Sequence, residues 1–178
     1  METAGPSRDA PRAGTGKAGN RAYEFALRGR VVLEGEDDRI ASLTIEPLLD
    51  TELGEAEALP ALLSGLPAEE ALQITPRKLA ERLGGLPESE MYRSVLLHEA
   101  LRAALADARG EPRVRSERVL ACTCLAVPEP LIRRAILMNG LTRLEEIRCF
   151  TKAGASCAQC TSRVAALLAS APVRIPLE

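Results

Sequence analysis

Four of the five cysteines stand in two close pairs, and their thiolates are the groups in this chain best suited to bind a metal. Cys122 and Cys124 form a Cys-x-Cys pair, and after an interval of 32 residues Cys157 and Cys160 form a Cys-x-x-Cys pair. Two such pairs can bring four thiolates to one point, where soft sulfur ligands select zinc or an iron–sulfur cluster. The spacing alone leaves three interpretations open: a structural zinc, an iron–sulfur cluster, or cysteines that bind nothing.

Few other side chains in the sequence could bind a metal or catalyse a reaction. Cys149 lies outside both pairs, and we expect it to be a small, partly buried hydrophobic residue. The one histidine, His98, lies on the apolar stripe of a predicted helix, so we expect it to be packed rather than to act as a ligand. No phosphate-binding loop, catalytic triad order or carboxylate pair is recognisable, and the sequence predicts a protein that is not an enzyme.

Helices are predicted between and after the cysteine pairs. Pro130 suits the first turn of a helix that Asn139-Gly140 ends. Thr142 with Glu145 is a capping-box pattern that begins a second helix, and a third is expected to begin near Cys157. The sequence therefore predicts a small all-helical module with a cysteine pair at each end.

The loop before the second cysteine pair favours a cluster over a structural zinc. Residues 151–156 contain a glycine and lead into the helix that begins near Cys157. Free backbone N–H groups, the positive end of that helix and the charge of Lys152 could all face the sulfur atoms. Such groups stabilise an anionic iron–sulfur centre, most strongly when it is reduced.

The region before the cysteines has the pattern of a small sheet followed by helices. Residues 23–34 and 39–46 have strand character and are joined by an acidic turn, which predicts an antiparallel hairpin. Pro60 predicts a short or broken helix, and Thr75-Pro76 begins another short one. A long helix with apolar residues at three- and four-residue steps is expected between residues 87 and 110. The fold class is therefore α+β.

The chain has 178 residues, which suits one medium domain or two small ones. We predict two folded units with tails and a linker: a disordered tail at 1–20, an α+β unit at 21–110, a linker at 111–117, the cysteine-containing module at 118–171 and a C-terminal tail at 172–178. The tails and the linker are predicted because these segments lack apolar periodicity.

Composition argues against two classes of partner. Lys and Arg number 23 and Asp and Glu number 25, which gives a net charge of −2, and there are two Tyr, two Phe and no Trp. This predicts a protein that does not bind nucleic acid. No stretch is apolar enough to span a membrane, and the N-terminus lacks the apolar region of a signal peptide. We therefore expect a cytoplasmic protein that does not contact membranes.

The run from Val119 to about Leu168 resembles the bacterioferritin-associated-ferredoxin-like (BFD-like) [2Fe-2S] domain, in the version found at the centre of NifU. The resemblance is carried by both cysteine pairs and by Asn139-Gly140-Leu141-Thr142, Glu145-Glu146 and Thr151-Lys152-Ala153-Gly154. It implies a redox-active [2Fe-2S] cluster with Cys122, Cys124, Cys157 and Cys160 as ligands. In the same comparison Cys149 falls at a non-ligand position.

The preceding region resembles the IscU-like scaffold domain of NifU, a small antiparallel sheet covered by helices. The resemblance is closest over residues 66–110, which end in the long helix. Ala26-Leu27-Arg28 and Asp38-Arg39-Ile40 fit the first two strands of that domain. The resemblance thus covers two consecutive regions in the order in which NifU contains them.

This chain differs from the scaffold domain at each position that would bind the transient cluster. Tyr23-Glu24-Phe25 replaces Cys-Gly-Asp, Leu48-Leu49-Asp50 replaces the glycine-cysteine, and Tyr92-Arg93-Ser94 replaces His-Cys-Ser. Tyr, Arg and Leu cannot substitute for thiolate and imidazole as cluster ligands at neutral pH. The comparison implies a degenerate scaffold domain, with its own site lost, fused to an intact ferredoxin-like module.

These resemblances imply a [2Fe-2S]-binding, NifU-like protein of iron–sulfur cluster assembly, with nitrogenase maturation as one setting. It would act as a one-electron carrier or accessory docking protein. The partners implied are a cysteine desulfurase, an intact NifU- or IscU-type scaffold and a redox donor protein, with a homodimer also compatible. Three alternatives stay open: an electron donor for iron release from ferritin cages, an active assembly scaffold, and a zinc-stapled interaction module.

Overall fold

The computed structural model describes residues 10–50, 52–112 and 119–172, and it has the α+β fold that the sequence predicts. Most of the predicted linker 111–117, and all but the first residue of the predicted tail 172–178, lie outside the described residues. Within the described ranges, no helix is both long enough and apolar enough to cross a membrane.

A three-stranded antiparallel sheet begins the fold. Strand β1 (Arg12–Asn20) pairs with β2 (Phe25–Glu34), and β2 pairs with β3 (Arg39–Pro47). The predicted hairpin is confirmed as β2 and β3. Buried residues alternate with more exposed ones along much of β2, because one face of the sheet lies against a helix.

The predicted N-terminal tail is wrong over Arg12–Asn20, which forms β1; residues 1–9 lie outside the described residues. Composition predicts a tail because the segment has no alternation of large apolar side chains. Its buried positions are glycines instead. A Cβ atom added to Gly14 would lie 2.2 Å from the carbonyl oxygen of Ala104, and one added to Gly16 would lie 2.1 Å from that of Ala100. The strand backbone therefore packs directly against a helix.

The helices that follow agree with their sequence signals. They are α1 (Leu59–Leu63), α2 (Ala68–Gln73), α3 (Pro76–Arg82) and α4 (Met91–Ala108). Pro60 lies in the first turn of α1, where its missing N–H costs nothing, so the predicted short helix is confirmed. The Thr75 hydroxyl caps α3 by accepting a hydrogen bond from the backbone N–H of Lys78. Helix α4 packs against β1 and β2.

The cysteine-containing region has three helices and a small β-ladder. They are β4 (Leu120–Cys122), β5 (Val127–Pro128), α5 (Glu129–Asn139), α6 (Leu144–Thr151) and α7 (Ala158–Ala169). The all-helical prediction is wrong in one respect, because the chain turns back after Cys122 and pairs β4 with β5. These strands are too short to give a periodic sequence signal.

The helix ends in this region follow the predicted patterns with one shift. Gly140 adopts the left-handed conformation, with φ 62°, and ends α5 as expected. The capping carboxylate of α6 belongs to Glu146 rather than Glu145. It accepts hydrogen bonds from the backbone N–H groups of Thr142 and Arg143.

The two predicted units pack against each other around one continuous hydrophobic core. Helix α4 lies between them, with the sheet on one side and α6 on the other, so it is buried on more than one face. Polar contacts also cross the boundary: the Arg134 guanidinium donates two hydrogen bonds to the Glu99 carboxylate. The cysteine-containing region is thus mounted on the sheet and α4.

Candidate metal centre

Three of the four predicted ligands meet at one point. The Sγ atoms of Cys124, Cys157 and Cys160 all lie within 4.8 Å of one another, and those of Cys124 and Cys160 are 3.9 Å apart. Cys124 is exposed, Cys157 is half-buried and Cys160 is buried. The structure therefore brings both cysteine pairs together at a site that opens to the surface.

Cys122, the fourth predicted ligand, lies beside this group but is not one of the three. It ends β4 and its side chain is buried. Its thiol helps to lower the pKa of Cys160 and to raise the pKa of Tyr23, so it lies near both side chains. Cys122 therefore lies on the protein side of the site, whereas Cys124 lies on the solvent side.

The second cysteine pair is positioned by the start of α7. Cys157 is the N-cap residue and Cys160 lies in the first turn, and residues three apart on a helix lie on the same side. The Thr161 hydroxyl lies within hydrogen-bonding distance of the Gly154 carbonyl, at 2.8 Å, and of the Cys157 carbonyl, at 3.0 Å. Gly154 has φ 73°, and a Cβ there would lie 3.2 Å from the Cα of Thr161. The loop before α7 is therefore held close against the helix.

The first pair is positioned by the turn between β4 and β5. Cys124 lies in this turn, in which the backbone N–H of Ala126 donates to the Thr123 carbonyl. Ala126 has a positive φ of 49°, which closes the turn. The Asn20 amide donates a hydrogen bond of 3.1 Å to the Leu125 carbonyl from outside the module.

Electrostatics around the thiols favour one thiolate in the absence of metal. The backbone N–H groups of Cys124 and Thr123, together with the Thr123 hydroxyl, lower the pKa of the Cys160 thiol to about 6. Hydrogen bonds to Cys160 and Cys157 raise the pKa of Cys124 to about 11. Cysteine binds a metal as a thiolate, and the low pKa of Cys160 favours this form near neutral pH. The three converging thiols, with Cys122 beside them, fit a thiolate-ligated iron–sulfur centre.

The amides that act on Cys160 come from the turn of the first cysteine pair, whereas the sequence pointed to the loop 151–156. The charge of Lys152 also lies elsewhere than expected. Its ammonium nitrogen lies 3.9 Å from the centre of the Tyr92 ring, in a cation–π contact. Some of the groups that stabilise the Cys160 thiolate therefore come from residues that the spacing of the cysteines does not indicate.

Cys149 and His98 both lie apart from the thiol group. The Cys149 thiol donates a 3.4 Å hydrogen bond to the Glu88 carboxylate. His98 is buried, with Nε2 3.1 Å from the Leu72 carbonyl, and burial lowers the pKa of its ring. His98 is therefore a packed residue, as expected.

The positions that correspond to scaffold ligands hold a packed aromatic cluster. The rings of Tyr23 and Tyr92 stack with centroids 5.8 Å apart, and Phe25 contacts Tyr92 edge-on at 6.2 Å. The guanidinium of Arg93 lies over the Phe25 ring. Among the described residues, the only group of three or more potential metal ligands is the cysteine group. Leu49 and Asp50 lie beyond the end of β3, where Leu49 is half-buried and Asp50 is exposed.

Two residues that contact the cysteine-bearing segments could not be found from the sequence. Asn20 bonds to the turn of the first pair, and the Tyr23 hydroxyl donates a 2.7 Å hydrogen bond to the Thr151 carbonyl, just before the loop to the second pair. These partners are 105 and 128 residues apart in the chain. No local pattern reports contacts over such separations.

Comparison with known proteins supports this site. Residues 120–170 match the BFD-like [2Fe-2S] binding domain. The chain is 36% identical over 155 residues to the nitrogen fixation protein NifU of Trichormus azollae, a match that covers 84% of this chain and 52% of that protein. The NifU of Nostoc sp. shows the same identity and coverage. The chain spans about half the length of these curated relatives.

A separate scaffold protein is also similar to part of this chain. The iron-sulfur cluster assembly scaffold protein IscU 1 of Archaeoglobus fulgidus is 30% identical over 95 residues, covering 53% of this chain and 61% of that protein. The chain is therefore similar to a cluster assembly scaffold protein over about half of its length. [2Fe-2S] is the cofactor of the matched domain at residues 120–170.

Proposed function

Because this chain is a NifU-like protein with a BFD-like [2Fe-2S] binding domain, we propose that it serves iron–sulfur cluster assembly as a one-electron carrier and is not an enzyme. The observation that carries the proposal is the convergence of thiols from both cysteine pairs at a site open to the surface. The relatives are named for nitrogen fixation, which favours nitrogenase maturation as the setting.

In this proposal Cys122, Cys124, Cys157 and Cys160 hold the cluster, which supplies reversible one-electron transfer when bound. Cys122 and Cys160 are buried, so they anchor the site to β4 and α7 and keep water from its inner side. Cys124 is exposed, so a partner that docks on this side can approach within electron-transfer range. Donors around Cys160 stabilise negative charge on sulfur.

The structure argues for a carrier over an assembly scaffold. A scaffold must build a cluster at accessible ligands and release it, but Tyr23, Phe25 and Tyr92 are buried in mutual contact at the corresponding positions. We propose that the scaffold-like region is retained as a docking surface for a cysteine desulfurase or an intact scaffold, in the cytoplasm. A separate donor protein would reduce the cluster.

The cofactor part of the proposal is tested by metal analysis of protein purified without oxygen. We expect about two irons and two sulfides per chain and the electron paramagnetic resonance signal of a reduced [2Fe-2S] centre. Replacing any one of the four proposed ligands with Ser should abolish or destabilise the centre. Cys149→Ser is the matched control and should leave the spectrum unchanged. Colourless protein with one zinc per chain would instead establish the zinc-stapled module.

The assignment to cluster assembly is tested by binding and electron transfer. The reduced protein should bind the host's cysteine desulfurase or scaffold and be oxidised only in the presence of that assembly system. Ferritin is the comparison partner, because an electron donor for iron release would bind ferritin and discharge its electron there. Selective binding to ferritin would overturn the proposal.

A further inference from the structure

Two residues that precede the [2Fe-2S] domain reach into it and contact both of the segments that carry its cysteines. Asn20 is the last residue of β1, and Tyr23 lies in the single 3-10 turn that follows. Both lie outside the matched domain, which begins at residue 120. Their contacts therefore couple the scaffold-like region to the metal centre.

The oxygen and the nitrogen of the Asn20 side-chain amide both form hydrogen bonds. Its oxygen accepts hydrogen bonds from the backbone N–H groups of Ala22, at 2.8 Å, and Tyr23, at 3.2 Å, which fixes the turn. Its amide nitrogen donates to the carbonyl of Leu125, the residue after Cys124. Asn20 thus ties the turn of the first cysteine pair to the end of β1.

Tyr23 holds the other cysteine-bearing segment. Its side chain is 2% exposed, and its hydroxyl donates to the carbonyl of Thr151 at the end of α6. The segment that leaves this point passes through Lys152, which has a positive φ of 53°, and reaches Cys157. Tyr23 therefore ties the start of the loop that carries the second cysteine pair to the scaffold-like region.

We propose that Asn20 and Tyr23 are positioning residues of the metal centre, which hold its two cysteine-bearing segments at the separation that the cluster needs. This inference rests on the proposed function, because it assumes that the four cysteines bind a cluster. The two side chains form hydrogen bonds to different segments, so each restrains the position of one cysteine pair. Ligand geometry that is held by surrounding hydrogen bonds retains its metal longer.

Two conservative substitutions remove the relevant hydrogen bonds, and Asn20→Asp also introduces a negative charge. Tyr23→Phe keeps the ring and leaves the Thr151 carbonyl without its donor. Asn20→Asp keeps an oxygen to accept from Ala22 and Tyr23, but replaces the donor to the Leu125 carbonyl with a second oxygen. Both variants should lose the cluster to an iron chelator faster than the wild type. For Tyr23→Phe we expect about tenfold, the scale set by one unpaired buried carbonyl.

Two controls separate positioning from general stability. Tyr92→Phe makes the same chemical change in the neighbouring ring, whose described contacts are ring contacts, and should lose its cluster at the wild-type rate. Glu99→Gln weakens the ion pair with Arg134 between the two regions and removes no hydrogen bond to the cysteine-bearing segments. It should lower the unfolding free energy of the metal-free protein without changing the rate of cluster loss.

The experiment measures iron and sulfide per chain, the paramagnetic resonance spectrum of the reduced protein, and the rate of cluster loss for all five proteins. Faster loss with altered spectra in Tyr23→Phe and Asn20→Asp alone supports the inference. Wild-type rates in these two variants overturn it, as does equally fast loss in Glu99→Gln. If one variant does not fold, the other decides. A wild-type protein that takes up no cluster overturns the proposed function instead, so the two failures are distinguishable.

Discussion

Replacing Gly16 with Ala should destabilise the fold strongly, because β1 has no room for a side chain at this position. A Cβ atom there would lie 2.1 Å from the carbonyl oxygen of Ala100 and 2.4 Å from the backbone nitrogen of Ala104. Non-bonded heavy atoms rest about 3.5–4.0 Å apart, so the strand and α4 would have to separate by about 1.4 Å or more. Overpacking of this kind, with the contacts it opens nearby, costs about 3 kcal/mol.

Gly29 supplies the matched control, because it pairs with Gly16 across the sheet and also faces α4. A Cβ at Gly29 would lie 3.6 Å from the carbonyl oxygen of Ala100, which is an ordinary contact. Gly29→Ala should therefore leave the unfolding free energy unchanged or raise it by about 0.5 kcal/mol, since Ala restricts the unfolded chain.

Urea and thermal unfolding of the metal-free protein, followed by circular dichroism under reducing conditions, measure the difference. Metal-free protein is used because a bound cluster would shift the apparent stability. The unfolding midpoint of Gly16→Ala should fall by about 6–12 °C, since 1 kcal/mol corresponds to about 2–4 °C at this size. Equal midpoints for Gly16→Ala and Gly29→Ala would refute the close packing of β1 on α4. The interpretation of this segment as a tail would then be restored.

Two further predictions concern buried titratable groups of α4. Glu99→Gln should lower the unfolding free energy by about 2 kcal/mol in urea titrations, because it weakens a buried ion pair whose arginines are partly exposed. Although burial opposes it, Arg134 lowers the pKa of Glu99, so this stability is present above the unfolded pKa of about 4.3 and lost as pH falls through the folded pKa. Burial lowers the pKa of His98, so the unfolded chain binds its proton first and stability should fall as pH drops below about 6.5. His98→Gln should flatten that slope below about pH 6.5, and an unchanged slope would show that His98 is not its source.

The elements that the sequence predicted well are those with local signals. Thr75 and Pro76 at the start of α3, and Gly140 at the end of α5, act through contacts within one turn, so residue type alone identifies them. Strand β1 was missed because its buried positions are Gly14 and Gly16, whose role depends on the small face of a helix about 90 residues later in the chain. A pattern of apolar residues gives no signal for a strand whose backbone packs directly against the backbone of a helix.

The same distinction applies to the site. The two cysteine pairs are visible in the sequence because metal ligands are few in type and closely spaced, and the structure brings both pairs together through Cys124, Cys157 and Cys160. The sequence gives no signal for the contacts of Asn20 and Tyr23, since their partners lie in a different part of the chain. The sequence predicts one apolar stripe on α4. The buried surface of this helix is wider than that stripe, because α6 packs on another side of it.

The aromatic cluster also bears on the proposal that the scaffold-like region has lost its own cluster site. Tyr23, Phe25 and Tyr92 are 2%, 1% and 6% exposed, so under the proposed loss of the scaffold site these positions are filled as well as chemically altered. Restoring one thiol, as in Tyr23→Cys, would therefore create a cavity and a buried thiol rather than an open site. It would also remove the hydroxyl that bonds to Thr151. In our proposal Tyr23 both replaces a ligand of the lost scaffold site and supports the remaining metal centre, and the two roles exclude each other at this position.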